Sequence, residues 1–188
     1  MPFASDPAWA GVAVAFLAVI ASIVGVFLQN RKAWLLASAS LVTTLVSEFN
    51  GPEFSGRRRR FAKLAAAHLH GQEATLIGNY GFGVLGMFEH IAYLVRRGAL
   101  DRSIVWNKFG WEMVGYYYAL TARHDLLEEL RANHSDRTQY EHYQWFVTKM
   151  VASYRARGTE VIDFENNLTW MEPFLSQELS LGEDGKSR

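Results

Sequence analysis

The stretch "NYGFGVLGMFEHIAYLVRRGALD", residues 79–101, decides between two folds. It spells G-x-G-x-x-G at Gly81, Gly83 and Gly86, with Asp101 twenty residues after Gly81. A dinucleotide-binding site needs that spelling between a strand and a helix, with the acid closing a second strand. Here "ATLIGNY" is too short a first strand, and Gly98, Ala99 and Leu100 leave no room for a second. Val84, Phe88, Ile91 and Val95 instead recur at four, three and four, the stripe of an amphipathic helix. On the helical reading Gly98 ends this helix and Asp101 caps the next. Gly83 and Gly86 then form a small-residue seam, where a neighbouring helix is expected to approach closely.

Working outward, the following segment "RSIVWNKFGWEMVGYYYAL" is apolar on two opposite faces, which predicts a central bundle helix. Ser55 is expected to open a helix through "GRRRRFAKLAAAHLHG", and a long helix is expected over 137–155. "DLLEELR" reads as a continued or restarted helix before the loop "ANHSD". No strand alternation of useful length and no internal repeat occurs, so the fold class is all-α.

At the other end, "AWAGVAVAFLAVIASIVGVFL" (8–28) runs 21 residues without a charge. As a helix it spans roughly 30 Å, the thickness of a bilayer's hydrocarbon core. It exceeds the apolar core of a typical signal peptide and lacks the basic residues that precede one. A retained anchor is expected, with Trp9 at one interface and Arg31 and Lys32 at the other. Those cations place the N-terminus outside and the bulk of the chain in the cytoplasm, at the inner membrane of a cell. Residues 33–47 are uncharged but short for a second span. The expected organisation is an anchor segment over 1–32, a juxtamembrane helix over 33–52 that could continue the anchor, a cytoplasmic helical bundle over 53–157, and an acidic, partly disordered tail over 158–188.

Charge is zero overall but segregated. Residues 31–63 hold seven basic groups against two acidic, and residues 158–188 hold seven acidic against two basic. Arg57, Arg58, Arg59 and Arg60 read either as a solvated helical turn or as contacts to anionic lipid headgroups. Neutrality, and the lack of aromatic interleaving around the arginines, argue against nucleic acid. There is no cysteine, no E-x-x-H pair and only one H-x-H, so no metal site, cofactor or catalytic residue is assigned. Glu89 and Arg123 are the charges to inspect for a polar site. Trp111, Tyr118 and Trp145 are candidates for an aromatic partner surface.

Leu85, Phe88, Glu89, Ile91, Ala92, Gly98, Leu100 and Asp101 follow a pattern written "vLnfFE.ia..v..G.ld". In this the chain resembles an uncharacterised bacterial family with an N-terminal membrane helix and a cytoplasmic helical domain. Gly86 stands where that pattern carries asparagine, so no role passes to it. The resemblance implies an anchored helical module and supplies no activity. The functional expectation is a binding or scaffold module with a protein partner or a second copy. The alternative is a membrane-associated enzyme with a site near Glu89 and Arg123.

Overall fold

A computed structural model describes residues 7–71, 79–122, 125–134, 138–156 and 168–181. These residues form seven α-helices: α1 (Pro7–Phe49), α2 (Pro52–Leu69), α3 (Asn79–Arg96), α4 (Arg102–Thr121), α5 (Leu126–His134), α6 (Glu141–Ala156) and α7 (Met171–Ser180). A 3₁₀ turn, Leu168–Trp170, leads into α7, and no strand occurs among the described residues.

α1 is one unbroken helix of 43 residues, about 65 Å long. The juxtamembrane helix continues the apolar run without a break near residue 32, because "QNRK" contains no glycine or proline to interrupt the ladder. Its two halves differ in packing. From Val12 to Trp34 nearly every described side chain is exposed, whereas Ser38, Val42 and Phe49 are buried against the other helices. Two hydrogen bonds tie this second half to the α3–α4 turn. Trp34 Nε1 donates to the Gly98 carbonyl at 2.9 Å, and Ser38 Oγ accepts from the Asp101 amide at 2.7 Å.

Asn50, Gly51 and Pro52 end α1 as expected, but α2 starts three residues earlier than Ser55. Pro52 occupies the first helical turn, where its missing N–H leaves no acceptor unsatisfied. The α3–α4 turn matches expectation closely. Gly98 has φ +71°, its amide donates to Val95 and the Ala99 amide donates to Leu94, the paired bonds of a Schellman ending. Asp101 then accepts from the amides of Ser103 and Ile104.

α4 is the centre of the bundle and packs against each of the other six helices. Every residue from Met113 to Leu120 is buried. Around it, Phe49 meets the rings of Phe54, Phe88 and Phe109 at 5.4–5.8 Å. Phe61 stacks on Tyr116 at 4.9 Å.

Two expectations are corrected. Residues 168–181 are not frayed tail: Trp170, Met171, Phe174, Leu175 and Glu178 are buried. Proline at residue 173 sits in the first turn of α7, where it is tolerated. The glycine seam also shrinks to one residue. A Cβ on Gly83 would lie 3.2 Å from Arg57 Cδ on α2, but Gly86 is exposed with nothing within 4 Å. The close approach occurs at Gly115 instead, where a Cβ would lie 2.6 Å from the Phe174 ring.

Gly86→Ala should therefore raise stability by up to about 1 kcal/mol through helix propensity. Gly115→Val should lower it by about 1–3 kcal/mol through overpacking. Thermal unfolding followed by circular dichroism checks both signs.

Candidate functional site

The polar centre of the domain is built on Arg58 and Glu178, which are 4% and 2% exposed. Arg58 lies on the buried face of α2 with Phe61, Ala62 and Ala65, three, four and seven residues on. Glu178 continues the buried stripe of α7 after Met171, Phe174 and Leu175. The guanidinium and carboxylate meet side-on: Nε donates to Oε2 at 2.9 Å and Nη2 donates to Oε1. Nη1 donates to Asn50 Oδ1 at 3.3 Å, and the guanidinium carbon lies 3.9 Å from the centre of the Phe49 ring. Tyr116 of α4 donates its hydroxyl to Glu178 Oε2 at 2.7 Å. Burial first, and then the charge of Glu178, hold that phenol far above its ordinary range, so it stays a donor. One ion pair thus gathers the end of α1, α2, α4 and α7.

Glu112, half-buried on α4, adds a second carboxyl near this pair. Burial raises it above the usual 4.5, opposed by a backbone hydrogen bond and by Arg58 and reinforced by Glu178. A raised carboxyl costs the fold stability once it ionises, so the penalty grows as pH rises from 4.5 through the raised value.

A second polar cluster surrounds Glu89. The residue before α6 is Tyr140, which has φ +62° and no side chain able to cap. Glu89, from α3, does the capping: it accepts from the amides of His142 at 3.2 Å and Tyr143 at 2.8 Å. His142 Nδ1 lies 2.7 Å from the same carboxylate. Burial, then the Glu89 charge, pushes the Tyr140 phenol to about 12. Both Glu89 oxygens are thus engaged in holding α6 to α3, which is a structural duty.

The remaining expected residues fall as follows. Arg31 and Lys32 are exposed and directly precede the docked half of α1; the Trp9 side chain and Arg123 lie outside the described residues. The four arginines are not equivalent. Arg57 pairs with Glu53 at the surface, Arg58 is the buried partner of Glu178, and Arg59 and Arg60 are exposed. With Lys63, Ser176 and Ser180 they line an open cleft of about 840 Å³ between α2 and α7. The aromatic patch does not form: Tyr118 is buried edge-on to Tyr117, and Trp145 is half-buried under Arg96. Trp111 alone of the three is exposed, at 43%, and leans on Trp170 and Phe174. Among the described residues no three His, Asp or Glu side chains gather as a metal site.

The structure places the eight motif residues in definite roles. Leu85, Phe88, Ile91, Ala92 and Leu100 are core, Glu89 caps α6, Gly98 ends α3 and Asp101 opens α4. The profile of a domain of unknown function, DUF4760, matches residues 12–150. The chain belongs to that family. No curated protein and no solved structure matches it. The DUF4760 match runs from the exposed half of α1 into α6 and stops short of α7, which supplies Glu178.

Arg58→Ala should cost about 3–5 kcal/mol, because it strands Glu178 in the core, whereas Arg59→Ala should change stability by no more than about 0.5 kcal/mol. The joint change Arg58→Met with Glu178→Leu should recover most of the loss. Chemical denaturation of the four proteins checks the ranking. Glu112→Gln should raise the melting temperature at pH 7, and the gain should close as pH falls towards 4.5.

Proposed function

We propose that this chain is a single-pass membrane protein whose DUF4760 domain is a helical binding or scaffold module at the cytoplasmic face. The observation that carries this reading is the exposed half of α1. Val14, Phe16, Leu17, Val19, Ile20 and Val26, with Ala15 and Ala18 between them, are exposed around the whole circumference of one helix. A helix that is apolar on all sides needs apolar surroundings, and no other part of the described chain provides them. α1 is also the one helix among the described residues that is long and apolar enough to cross a membrane.

The change from exposed to docked packing supports the same boundary. Arg31 and Lys32 stand between the apolar stretch and Trp34, where basic side chains reach a headgroup layer. Their position favours an outside N-terminus and an inside domain at the cytoplasmic membrane. From Leu28 the helix continues for 21 residues to Phe49, about 31 Å. Even with a 40° tilt this carries Arg58, which contacts Phe49, more than about 20 Å beyond the hydrocarbon core. The arginines of α2 are therefore poor candidates for lipid contact in the same bilayer. The enzyme reading loses its acid, since Glu89 already serves as the cap of α6.

Full-length protein should stay with the membrane fraction through alkaline carbonate extraction. Leu17→Arg with Ile20→Arg should release it, each charge costing about 2.5–3.5 kcal/mol at mid-span. Release of the unaltered protein sinks the reading. Cysteines introduced singly at Ser5 and Ser176 test orientation in a chain that has none. An impermeant thiol reagent applied to intact cells should label only the first.

A further inference from the structure

Contacts along α1 set which end of the domain faces the bilayer. Trp34, bonded to the Gly98 carbonyl, stands six residues past Leu28, about 9 Å along the axis. Phe49 stands 21 residues past Leu28 and meets Phe88 of α3 and Phe109 of α4. α3 therefore runs towards the apolar half of α1, and α4 runs away from it. The turn between them is the end of this helix pair nearest that half. Arg97 and Arg102 flank the turn, and both are exposed. Arg31 and Lys32, exposed just before Trp34, bring two more cations to the same corner. The acids nearby are engaged: Asp101 accepts from the Ser103 and Ile104 amides, and Glu141 pairs with Arg96. Among the described residues neither Arg97 nor Arg102 is held in an ion pair. Arg97 lies over the Tyr93 ring at 5.5 Å, a contact to the face of the guanidinium that leaves its N–H groups open.

The headgroup layer of a bilayer is about 5–7 Å deep on each side of the hydrocarbon. With a 40° tilt of α1 the α3–α4 turn comes to about 7 Å from the hydrocarbon edge, within reach of long basic side chains that snorkel. We propose that this turn is a second membrane contact of the chain, in which Arg97 and Arg102, with Arg31 and Lys32, hold the phosphates of anionic phospholipids. Arginine suits that duty, because its planar fork donates to two phosphate oxygens at once. A zwitterionic headgroup carries its own cation, so a corner with an excess of positive charge favours the anionic lipid. The contact lies at the opposite end of α1's docked half from Arg57, Arg58, Arg59 and Arg60, which accompany Phe49. Trp34 and Ser38 fix the turn to α1 by hydrogen bonds, so the basic corner keeps a constant height above the span. The proposal rests on the membrane-anchored reading and adds the surface by which the domain itself meets the bilayer.

The absence of cysteine lets one dye be placed at will. Full-length protein with Ala99→Cys, labelled at that thiol, is reconstituted into bilayers of phosphatidylcholine and phosphatidylglycerol. A small fraction of one lipid or the other carries a nitroxide quencher next to its headgroup. Quenching at residue 99 should favour the phosphatidylglycerol form by at least about ten-fold in effective local concentration. The same dye at Ser176→Cys, exposed on α7, should be quenched by neither. Arg97→Gln with Arg102→Gln should cut the preference by about five-fold or more, the factor that one cation near the surface supplies. Arg59→Gln with Arg60→Gln removes the same charge from the far end and should leave the preference unchanged. Arg97→Lys with Arg102→Lys keeps the charge and should keep most of the preference, which separates lost charge from a damaged fold. No preference in the unaltered chain, or one that survives Arg97→Gln with Arg102→Gln, overturns the proposal. Carbonate extraction of the same vesicles distinguishes the two levels. A chain released from the bilayer overturns the anchor and this contact together, and a retained chain without the preference overturns this contact alone.

Discussion

The structure depends on keeping one charge pair in its core. A guanidinium and a carboxylate placed out of water each lose several kcal/mol of hydration, which only close mutual contact and filled hydrogen-bonding positions offset. Arg58 and Glu178 meet that condition through two bonds to each other, with Asn50 and Tyr116 taking further positions and the Phe49 ring covering the guanidinium. The pair cannot be solvated without moving α7 and cannot lose one member without stranding the other. Helices distant in sequence therefore share one fate: α7 is fixed by a residue 120 positions earlier.

The same logic of supplying polar groups from a distance governs the helix ends. Glu89 on α3 caps α6, and Ser38 and Trp34 on α1 satisfy groups in the α3–α4 turn. Each bond completes a terminus and also fixes one helix against another. For α1 the outcome is mechanical. A continuous helix, exposed over its first half, is fastened at Trp34, Ser38 and Phe49 over its second half. The exposed half, the contacts to the α3–α4 turn and the ring that covers Arg58 thus all lie on one continuous helix.

Much of this was legible in the residues, because helical periodicity and helix termini are local. The all-α class, the apolar run, the Gly98 ending and the Asp101 cap follow from patterns within about ten residues. The long-range partners do not. Four arginines in a row look alike until register is considered. Arg58 alone stands three, four and seven residues before Phe61, Ala62 and Ala65, a charge inside an apolar stripe. Glu178 holds the equivalent place after Met171, Phe174 and Leu175, hidden in a segment whose acidity suggested a tail. Glu89 was conspicuous, but its duty depends on Tyr140 being unable to cap α6. Gly86 drew attention through a spelling, whereas Gly115 carries the close contact because Phe174 arrives there from 59 residues away. Tyr118 is not surface because α4 is covered on all sides from Met113 to Leu120.

The central claim is that one ion pair holds two remote ends of the fold together. Hydrogen–deuterium exchange on the full chain, compared with Glu178→Leu, tests it most directly. Protection should fall together in residues 171–180 and at the end of α1, residues 46–50, while the α3–α4 turn keeps its protection. Loss confined to residues 171–180, with the end of α1 unchanged, would contradict the account.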